Sequence, residues 1–582
     1  MSERYDVIVI GGGPAGSLCA ALLRKYTPGM RVALVERDAF PRYHIGESLV
    51  LEVNRILQDA GVLEKVEQAS FLKKAGATYV WGTDRRPWPF LFAESTGRRP
   101  HFDGMRDYTF HVERADFDRL LLEHARELGV EVYQPAAVKD VLFEDGRATG
   151  VRVEHGGETR QLDARYLVDA SGRAGVVAHR IGERIFDPVI RNLAVFGYWR
   201  DAEIDPSYCV GWNPAAIAVV SAPEGWVWYI PIQPGLVSVG YVTPAETFKK
   251  RNKGDLEAYY RGQLQDVPEI ATWLRHATLV DQEHAPARVM VERDFNYLHS
   301  RLWGPGYVLV GDAAGFLDPL FTFGVFMAGT GAQLAAYAIG TLLDERAKGA
   351  TEAVVLGGYE QHIRTYYGAF AAMLYVFYRF NGDRSEYWRT ARDLIQREML
   401  PANITDREAF MALTFGFGVN TYVFHEATQH FGQVAMRRIF DMGNSEDAPI
   451  AWSDPGDFGG RSLDDDARPA LVQQPTITST VIPIHGHGRM VPMRRLEFAT
   501  PDSGQFPRHV YAPDWLSEIL RHLDGSRTLR ELTAALAPGR VLFGAKKLER
   551  REILHRTLRM LYSLGAVEDA AARPAGDAVA TS

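Results

Sequence analysis

The stretch YDVIVIGGGPAGS, residues 5–17, decides the fold of the N-terminal part of this 582-residue chain. Its apolar run predicts a buried strand, and three glycines follow at the spacing of a dinucleotide-binding turn. The first glycine permits the tight turn, the second lets the backbone approach a pyrophosphate, and the third lets a helix pack on the strand. The helix AGSLCAALLRKY begins inside the glycine run, so its N-terminus adds positive potential there. The expected nucleotide-binding residues of this loop are Gly11, Gly13, Pro14, Ala15 and Gly16.

Acidic residues extend this pattern. The second predicted strand, RVALVER, ends in Glu36, twenty positions after Gly16, where an acid can bind a ribose hydroxyl, and Arg37 follows it. Far downstream, GYVLVGDAAGFLDPL repeats an apolar strand that leads into Gly311 and Asp312. Because an acid at that position can bind a ribityl chain, the two motifs together predict a flavin rather than a nicotinamide.

Two further segments lie between these motifs. VERADFDRLL contains Arg114, and YLVDASG contains Asp169. With the glycine loop and the downstream motif, they make the chain similar to flavin monooxygenases of the p-hydroxybenzoate hydroxylase type. Beyond residue 350 the sequence predicts a helical extension and a small C-terminal winged-helix-like unit. The resemblance implies an α/β chain, α+β overall, with a Rossmann-like FAD-binding domain of this type and an inserted antiparallel-sheet substrate domain. It also places Arg114 and Asp169 in the cofactor-binding set.

The overall composition excludes several classes of protein. With 46% hydrophobic residues the chain can build several cores, while a net charge of −8 does not suit a nucleic-acid binder. Only Cys19 and Cys209 occur, too few for a disulfide framework or a structural zinc site, and the N-terminus shows no signal peptide. One apolar stretch, 323–343, is long enough to span a bilayer, but its Gly and Ala content and Gln333 favour a buried core helix. We therefore expect a cytoplasmic protein without a membrane span.

The stretch SFLKKAGATYVWG, residues 70–82, places two lysines directly before a predicted strand. Because side chains alternate along a strand, Lys74 is expected to share a face with Gly76 and Val80. A buried lysine is unfavourable unless it is paired or used, since burial disfavours its charged form. One of the two lysines is therefore expected to face inward as a functional candidate.

A tryptophan motif indicates which lysine that is. The segment APEGWVWYIPI contains the pattern WxWxIP, formed by Trp226, Trp228, Ile230 and Pro231. With the glycine loop, the KxG pattern at Lys74 and the GES segment of FPRYHIGESL, it resembles the flavin-dependent halogenases over roughly residues 1–400. The GES residues, which the resemblance places beside the flavin, are Gly46, Glu47 and Ser48. The resemblance also selects Lys74 as the catalytic residue, on a strand between flavin and substrate.

The resemblance further implies a mechanism. Reduced FAD (FADH2), supplied by a separate reductase, reacts with O2, and chloride or bromide is oxidised to hypohalous acid. The halide is expected at the backbone amides of Thr322, Phe323 and Gly324, where a helix begins, and Gly324 is also counted among the flavin-binding residues. Lys74 then either donates a hydrogen bond that makes the halogen more electrophilic or forms a haloamine, and an electron-rich ring attacks the halogen. The WxWxIP motif forms a wall that keeps substrate from the flavin, with ordinary aromatic packing as the alternative.

Two positions depart from the halogenase pattern. The family's DPLxS(S/T)G is DPLFTFG here, so Phe323 replaces the hydroxyl residue before Gly324. Phe321 stands in the segment where tryptophan-specific members carry a glutamate. The resemblance therefore favours phenols, pyrroles or carrier-tethered acyl groups over free tryptophan as substrate.

The domain boundaries follow from the motifs and from composition. The expected units are an FAD-binding domain over 1–350 with interleaved substrate-domain sheet segments at about 75–115 and 185–295, a helical substrate-covering region over 351–460, a linker at 461–489, a small unit over 490–568 and a disordered tail over 569–582. The order hairpin, helix, Asp-Gly turn, helix makes the small unit similar to a PqqD-like winged-helix domain. A plain packing or dimerisation module is the alternative.

The leading hypothesis is an FAD-dependent halogenase of antibiotic or other specialised biosynthesis, acting on a small aromatic or carrier-bound substrate. One rival is a flavin monooxygenase or oxidase of the same fold without halogenation. Another is a peptide-binding protein with a vestigial flavin domain. His485 and His487 are interpreted as solvated loop residues, so no metal is assigned.

Overall fold

A computed structural model describes most residues of the chain. They are 3–83, 85–93, 106–209, 217–293, 296–345, 347, 350–379, 385–391, 407, 410, 464–484, 488–497, 509–512, 514–535, 540–543, 546–563 and 566–570. His485 and His487, most of the predicted helical region 351–460, and the predicted tail from residue 571 lie outside the described residues.

The N-terminal part alternates strands and helices. Its strands are β1 (Glu3–Ile10), β2 (Val32–Val35), β3 (Leu72–Lys74), β4 (Gly76–Val80), β5 (Trp88–Leu91), β6 (Thr109–His111), β7 (Glu131–Tyr133), β8 (Ala136–Glu144), β9 (Arg147–His155), β10 (Glu158–Asp169), β11 (Arg184–Phe186), β12 (Asn192–Arg200), β13 (Ile217–Ala222), β14 (Gly225–Gln233), β15 (Leu236–Pro244), β16 (Thr278–Val280), β17 (Val289–Glu292), β18 (Tyr297–His299), β19 (Trp303–Gly304), β20 (Tyr307–Leu309) and β21 (Gly315–Phe316). Its helices are α1 (Pro14–Tyr26), α2 (Val53–Ala60), α3 (Leu63–Gln68), α4 (Arg114–Glu127), α5 (Ala178–Ile181), α6 (Ala245–Arg251), α7 (Leu256–Gln265), α8 (Pro268–Trp273), α9 (Gly324–Leu342) and α10 (Glu352–Arg379).

The first sheet is Rossmann-like and confirms the predicted α/β class. Its strands run in the order β19-β20-β10-β1-β2-β7, and β1 pairs in parallel with both β10 and β2. Residues 7–10 are all buried because a parallel sheet is covered on both faces. Helices α1 and α9 pack against each other beside this sheet. The carboxyl end of β1 therefore opens toward the glycine loop, as expected for a sheet that binds a ligand at its strand ends.

The second sheet is mainly antiparallel, with the order β16-β12-β15-β14-β13-β4-β5. The predicted strand through residues 70–82 is two strands. The segment up to Lys74 pairs with β6, and from Gly76 the chain joins β13 and β5. All five residues of β4 are buried, because β4 is an internal strand covered on both faces. The prediction that Lys74 shares an alternating face with Gly76 and Val80 is therefore wrong.

Helix α9 is the one described helix that is apolar and long enough to cross a membrane. Of its most apolar window, 89% is buried inside the protein, where it packs against α1 and α10. This burial confirms the interpretation of the stretch as a core helix.

The C-terminal part contains a second set of elements. They are β22 (Pro469–Leu471), β23 (Thr476–Ile484), β24 (Arg489–Glu497), β25 (His509–Ala512), α11 (Asp514–Arg521), α12 (Leu529–Ala534), β26 (Arg540–Phe543), β27 (Lys546–Glu549), α13 (Arg550–Ser563) and β28 (Val567–Asp569). The linker prediction for 461–489 is wrong for its second half, since β23 pairs along its length with β24. Its segment TITSTVIPI is rich in β-branched residues, which favour a strand over a linker. The other domain boundaries remain predictions.

Candidate active site

A cavity of about 490 Å³ lies between the glycine loop and the start of α9. Its walls also include the GES segment, the WxWxIP tryptophans and the turn that follows β20. The predicted cofactor residues that line it are Gly11, Gly13, Pro14, Ala15, Glu36, Arg37, Gly46, Glu47, Ser48, Arg114, Asp312 and Gly324. Most of the sequence-predicted cofactor set is thus brought together around one space.

The glycine loop has no room for side chains at its two tightest points. A Cβ on Gly11, whose φ is +106°, would lie 2.3 Å from the carbonyl oxygen of Ala170. A Cβ on Gly16 would lie 1.9 Å from the carbonyl oxygen of Gly11. Gly16 does not line the cavity, so it serves helix-on-strand packing, the role expected of the third glycine. The first turn of α1 has neither an acidic residue nor a side-chain cap, which leaves its positive end uncompensated by a side chain.

Glu36 holds the glycine loop from the end of β2. Its Oε2 accepts a hydrogen bond of 2.5 Å from the backbone N–H of Gly12, and its Oε1 accepts one of 2.8 Å from that of Asp38. A carboxylate has about four acceptor positions, so each oxygen can still accept from a ribose hydroxyl. Glu36 lines the cavity and is therefore placed as the sequence predicts.

Arg114 fixes the GES segment at the mouth of the same cavity. Its guanidinium forms a bidentate pair with Asp118, at 2.8 and 3.0 Å, and donates a 2.6 Å bond to the carbonyl of Ile45. Gly46 follows with a φ of +105°, and a Cβ there would lie 2.9 Å from the guanidinium. Because the Arg114 guanidinium is buried and paired with Asp118, it is held rigidly at the cavity wall.

Asp312 brings a carboxylate to the cavity just after β20. Burial raises its pKa to about 6, while the nearby guanidinium groups of Arg114 and Arg173 lower it. Such an acid can accept from, or donate to, a polyhydroxyl chain. With the loop that admits no Cβ and Glu36 on the same cavity, the residues present fit FAD.

Besides Gly16, the predicted site residues that do not line the cavity are Asp169, Gly311, Pro231, Phe323 and Lys74. Both carboxylate oxygens of Asp169 accept hydrogen bonds from backbone N–H groups of the following turn, those of Ser171, Val177 and Ala178, so Asp169 caps this turn. Gly311 packs against helix α1 at Ala15, and Pro231 stands at an irregularity of the β14–β15 pairing. Gly311 and Pro231 do not line the cavity. Phe323 does not line it either, because its ring packs against that of Phe370.

Lys74 is buried, as predicted, with 1% of its surface exposed, whereas Lys73 is exposed. The Lys74 amine donates to Ser48 Oγ at 2.9 Å and to the carbonyl of Leu49 at 2.8 Å. Burial lowers the pKa of Lys74 to about 7. Lys74 itself does not line the cavity, but its partner Ser48 does. The structure thus places the amine one hydroxyl group away from the cavity wall.

The two tryptophans of the motif line the cavity and lie with ring centroids 6.0 Å apart. Each indole N–H donates to a hydroxyl group. Trp226 donates to Tyr378 Oη at 2.6 Å, and Trp228 donates to Ser238 Oγ at 3.2 Å. Ile230 also lines the cavity, so the side chains that alternate along β14 form one wall.

The Trp226 contact continues into the turn before α9. Tyr378 hydrogen-bonds to Asp318, whose carboxylate also accepts from the amide of Asn192 at 3.0 Å and from the backbone N–H of Leu320 at 3.1 Å. Burial raises the pKa of Asp318 to about 6. Asp318 therefore connects the tryptophan wall to the turn that leads into α9.

This turn ends in an uncommon conformation. Thr322 has a φ of +58°, and its backbone N–H donates to the carbonyl of Pro319 at 2.9 Å. Thr322 and Gly324 line the cavity, and α9 begins at Gly324.

The sequence profile of the tryptophan halogenase family matches residues 6–103 and 98–431 of this chain. The chain belongs to the flavin-dependent halogenase family. This halogenase is 35% identical over 410 residues to a tryptophan 2-halogenase of Chondromyces crocatus, which covers 69% of this chain and 73% of that relative. It is 34% identical over 346 residues to a 1H-pyrrole-2-carbonyl peptidyl-carrier-protein chlorinase of Pseudomonas fluorescens, covering 57% of this chain and 74% of that relative.

A solved structure extends the similarity to the C-terminal part of the halogenase. The crystal structure of CmlS, a flavin-dependent halogenase, superposes with a TM-score of 0.63 at 26% identity. The alignment covers 98% of this chain and 97% of CmlS. The α/β FAD-binding fold of the halogenase is therefore shared with this relative.

On the side of the cavity away from the glycine loop, the halogenase packs a cluster of aromatic rings. The ring centroids of Phe323 and Phe370 are 3.9 Å apart, and those of Phe321 and Phe377 are 5.0 Å apart. Further members are Tyr79, Trp88, Phe90, Tyr387 and Phe410. Phe321 thus offers a ring edge, not a carboxylate, to this region.

Sequence reasoning missed four residues that support the site: Tyr43, Tyr198, Ser238 and Tyr378. Tyr43 lies in the FPRYHIGESL stretch but outside its GES residues, and the other three belong to no motif. Each acts through a partner elsewhere in the chain, such as Trp226 for Tyr378. The sequence signal that could have found Tyr378 is weak, since it lies among other aromatic residues of α10.

Proposed function

We propose that this halogenase uses reduced FAD and O2 to oxidise chloride or bromide to hypohalous acid, and that Lys74 passes the halogen to an electron-rich aromatic or heteroaromatic ring. The observation that carries the proposal is the buried amine of Lys74 on Ser48, a residue of the cavity wall. The glycine loop and Glu36 would hold the adenosine diphosphate part of FAD, and Asp312 the ribityl chain. When bound in its reduced form, FAD supplies the two electrons that O2 chemistry requires.

The contacts of Lys74 suit a neutral amine. A neutral amine has two N–H groups, and they match the two acceptors, Ser48 Oγ and the carbonyl of Leu49. Its lone pair then remains for the halogen. Hypohalous acid and the amine would give a haloamine and water, and attack by the ring would form the carbon–halogen bond, with the aryl proton restoring the N–H bond. A pKa near 7 keeps a large fraction of the amine in this form at neutral pH.

The start of α9 supports the proposed halide site at the backbone amides of Phe323 and Gly324, whereas the N–H of Thr322, also predicted for this site, already donates to the carbonyl of Pro319. Phe323 contributes no hydroxyl group, and its ring faces Phe370, so the amides at the start of α9 would bind the anion. The wall formed by Trp226, Trp228 and Ile230 would keep the ring that is halogenated away from the cofactor. A confined path would favour reaction of the oxidant at Lys74 over its escape into water.

Two features bear on the substrate. The chlorinase relative acts on a pyrrole group bound to a carrier protein, which supports a carrier-tethered heteroaromatic here. The tryptophan 2-halogenase relative supports free tryptophan instead. We favour the first class, because Phe321 and its aromatic neighbours supply no carboxylate for an indole, whereas phenols and pyrroles carry their own electron density. We propose that the product of this enzyme is used in the biosynthesis of a halogenated natural product, such as an antibiotic.

The sequence contains one nucleotide fingerprint of the GxGxxG type in a strand-to-helix context, so we propose a separate flavin reductase as partner. We expect both proteins to work in the cytoplasm. Omission of the reductase in an assay with NADH, FAD, O2 and halide should abolish product, and chemically reduced FAD should restore it.

The test of the proposed function is product mass. Incubation with FAD, reductase, O2, bromide or chloride and a panel of free and carrier-bound phenols, pyrroles and indoles should add one halogen. Lys74→Ala should still consume reduced FAD but form no halogenated product, and Lys73→Ala, the exposed neighbour, should retain activity. A gain of oxygen without halogen would support the rival monooxygenase, which the loss of the hydroxyl residue at Phe323 favours. Halogenation by Lys74→Ala would remove this residue from the mechanism.

A further inference from the structure

We infer that Glu47, Tyr198 and Tyr43 form a proton route into the flavin cavity from a second cavity beside it. The inference rests on the proposed function, because it assigns the route to the proton that halogenation consumes. Tyr198 Oη donates to Glu47 Oε1 at 2.5 Å, and the hydroxyl groups of Tyr43 and Tyr198 are 3.0 Å apart. These contacts join β12 to the GES segment across 151 and 155 positions of the sequence.

The inner end of the route is Glu47. Glu47 is 4% exposed and lines the flavin cavity. The second oxygen, Oε2, is buried without a hydrogen bond of normal length and angle among the described residues, and the hydroxyl group of Ser238 is near enough to the carboxylate to lower its pKa. A buried polar atom without a partner is unfavourable and is expected to find one in the functional complex. Glu47 can therefore accept a proton on one oxygen and present one from the other.

The outer end of the route is Tyr43. A second cavity, of about 430 Å³, adjoins the first and is lined by Tyr43, Ile45, Phe196 and residues of β17. Tyr43 lines both cavities and is only partly buried, whereas Tyr198 between them is 1% exposed. The three groups thus span from a partly exposed position to a buried one.

The overall reaction explains why such a route is needed. One aryl C–H group, one halide ion, one FADH2, one O2 and one proton give one aryl halide, FAD and two water molecules. FADH2 supplies the two electrons, and the charge balances because the proton offsets the halide. The site must therefore take up one proton for each product it makes.

The proton can pass without leaving a charge behind. Neutral Glu47 releases its proton from Oε2 into the cavity while Oε1 takes the proton of Tyr198. Tyr198 takes the proton of Tyr43, and Tyr43 takes one from solvent in the second cavity. Each O–H bond that breaks is replaced by one that forms, and rotation of the carboxyl group resets the route. Both tyrosines stay neutral before and after the transfer.

The surroundings of Glu47 keep a neutral form accessible. Burial raises the pKa of Glu47 to about 7, and the negative charge of Glu113 adds to this. The hydroxyl groups of Tyr198 and Ser238 and the guanidinium of Arg114 act in the opposite direction. Carboxyl groups that relay protons near neutral pH need a pKa in this range.

The first test needs no turnover. Infrared spectra of the protein, both without FAD and with oxidised FAD, should show a protonated carboxyl band that disappears as pH rises through about 7 and that is missing in Glu47→Gln. Tyr198→Phe should move this titration to higher pH, because the variant lacks a hydrogen bond that stabilises the carboxylate. The control is Tyr260→Phe, which removes another buried hydroxyl, bonded to the carbonyl of Val239 at 2.6 Å, and should leave the titration in place.

The second test separates the route from a structural role. In a single turnover below about pH 7, Tyr198→Phe should form product almost normally from the proton already on Glu47, while multiple turnovers slow. Glu47→Gln should slow product formation in both single and multiple turnovers, by a factor on the order of 100. Tyr260→Phe should match wild type in single turnover, in multiple turnovers and in its solvent deuterium isotope effect.

The inference would be overturned if Tyr198→Phe lost equal fractions of its rate in single and multiple turnovers. It would also be overturned if Glu47→Gln left the carboxyl titration unchanged. Retention of full activity by Glu47→Gln would overturn it as well. If the wild-type protein makes no halogenated product but its carboxyl band titrates as described, the proposed function fails and the proton route stands. The route can then be assayed by the O2-dependent oxidation of reduced FAD.

Discussion

The indole nitrogen of Trp226 lies 2.6 Å from the phenolic oxygen of Tyr378. Through this bond the motif on β14 is fixed to α10, and through Asp318 it is fixed to the turn before α9. The second tryptophan is fixed in the same manner, by Ser238. The wall of the cavity is thus oriented by hydroxyl groups that stand outside every recognisable motif.

Tyr378→Phe should weaken both the wall and the turn. The variant leaves a buried indole N–H and a carboxylate oxygen without this partner, so we expect the free energy of unfolding to fall by about 1–3 kcal/mol. We also expect a higher KM for halide and more hydrogen peroxide per reduced FAD consumed. Unfolding in urea and product-to-peroxide ratios would measure these effects. The matched control is Tyr375→Phe, one turn earlier on α10, whose hydroxyl binds Asp187; an equal rise in the halide KM there would contradict the prediction.

Gly11→Ala should prevent FAD binding. Its new Cβ would lie 2.3 Å from the carbonyl oxygen of Ala170, and a φ of +106° is strained for any residue with a side chain. Titration of the purified variant with FAD, followed by flavin fluorescence, should show no saturable binding. Gly29→Ala serves as the control, because no heavy atom lies within 4 Å of the added Cβ. Normal FAD affinity in Gly11→Ala would show that the loop does not form the site.

Much of the site follows from local sequence, and the remainder depends on tertiary contacts. The glycine loop and Glu36 are predictable because each motif contains its own physical reason, a turn without Cβ atoms and an acid at a strand end. Asp169 is less certain from sequence alone, since an acid after a strand can also cap the next turn, as it does here. Tyr198 and Tyr378 could not be predicted, because nothing near them in sequence indicates which distant carboxyl or indole they contact. The division of the predicted strand at Ala75 has the same cause, because pairing with distant strands decides which sheet each part joins.

Lys74 should make stability depend on pH. Its pKa is about 7 in the folded protein, against 10.5 for an exposed lysine, so between these values the unfolded chain binds the extra proton. The folded state therefore gains stability as pH rises from 7 toward 10.5, by about 1.4 kcal/mol per pH unit at most. Lys74→Met removes this titration. We expect Lys74→Met to be more stable than wild type at about pH 7, and this advantage to shrink by about 2 kcal/mol at about pH 9.

Urea unfolding of both proteins at the two pH values would measure that difference. Lys73→Met is the control, since the exposed Lys73 side chain should show no such pH-dependent difference from wild type. A constant gap between Lys74→Met and wild type across this range would mean that the amine is charged in the folded protein, and that its lone pair is not available to the halogen.

Phe323→Ser restores the hydroxyl residue of the family pattern, yet we expect it not to improve halide use. The Phe323 ring is 1% exposed and lies 3.9 Å from that of Phe370, so the new hydroxyl would enter the aromatic cluster rather than the cavity. Loss of the ring should lower the free energy of unfolding by about 3–5 kcal/mol, as for other large-to-small changes in a core. Phe370→Ala removes the partner ring of the same pair, leaves the residues of the turn unchanged and is the matched control. The halide KM should be similar in the two variants, and a markedly lower value in Phe323→Ser would show that a side chain at this position reaches the anion.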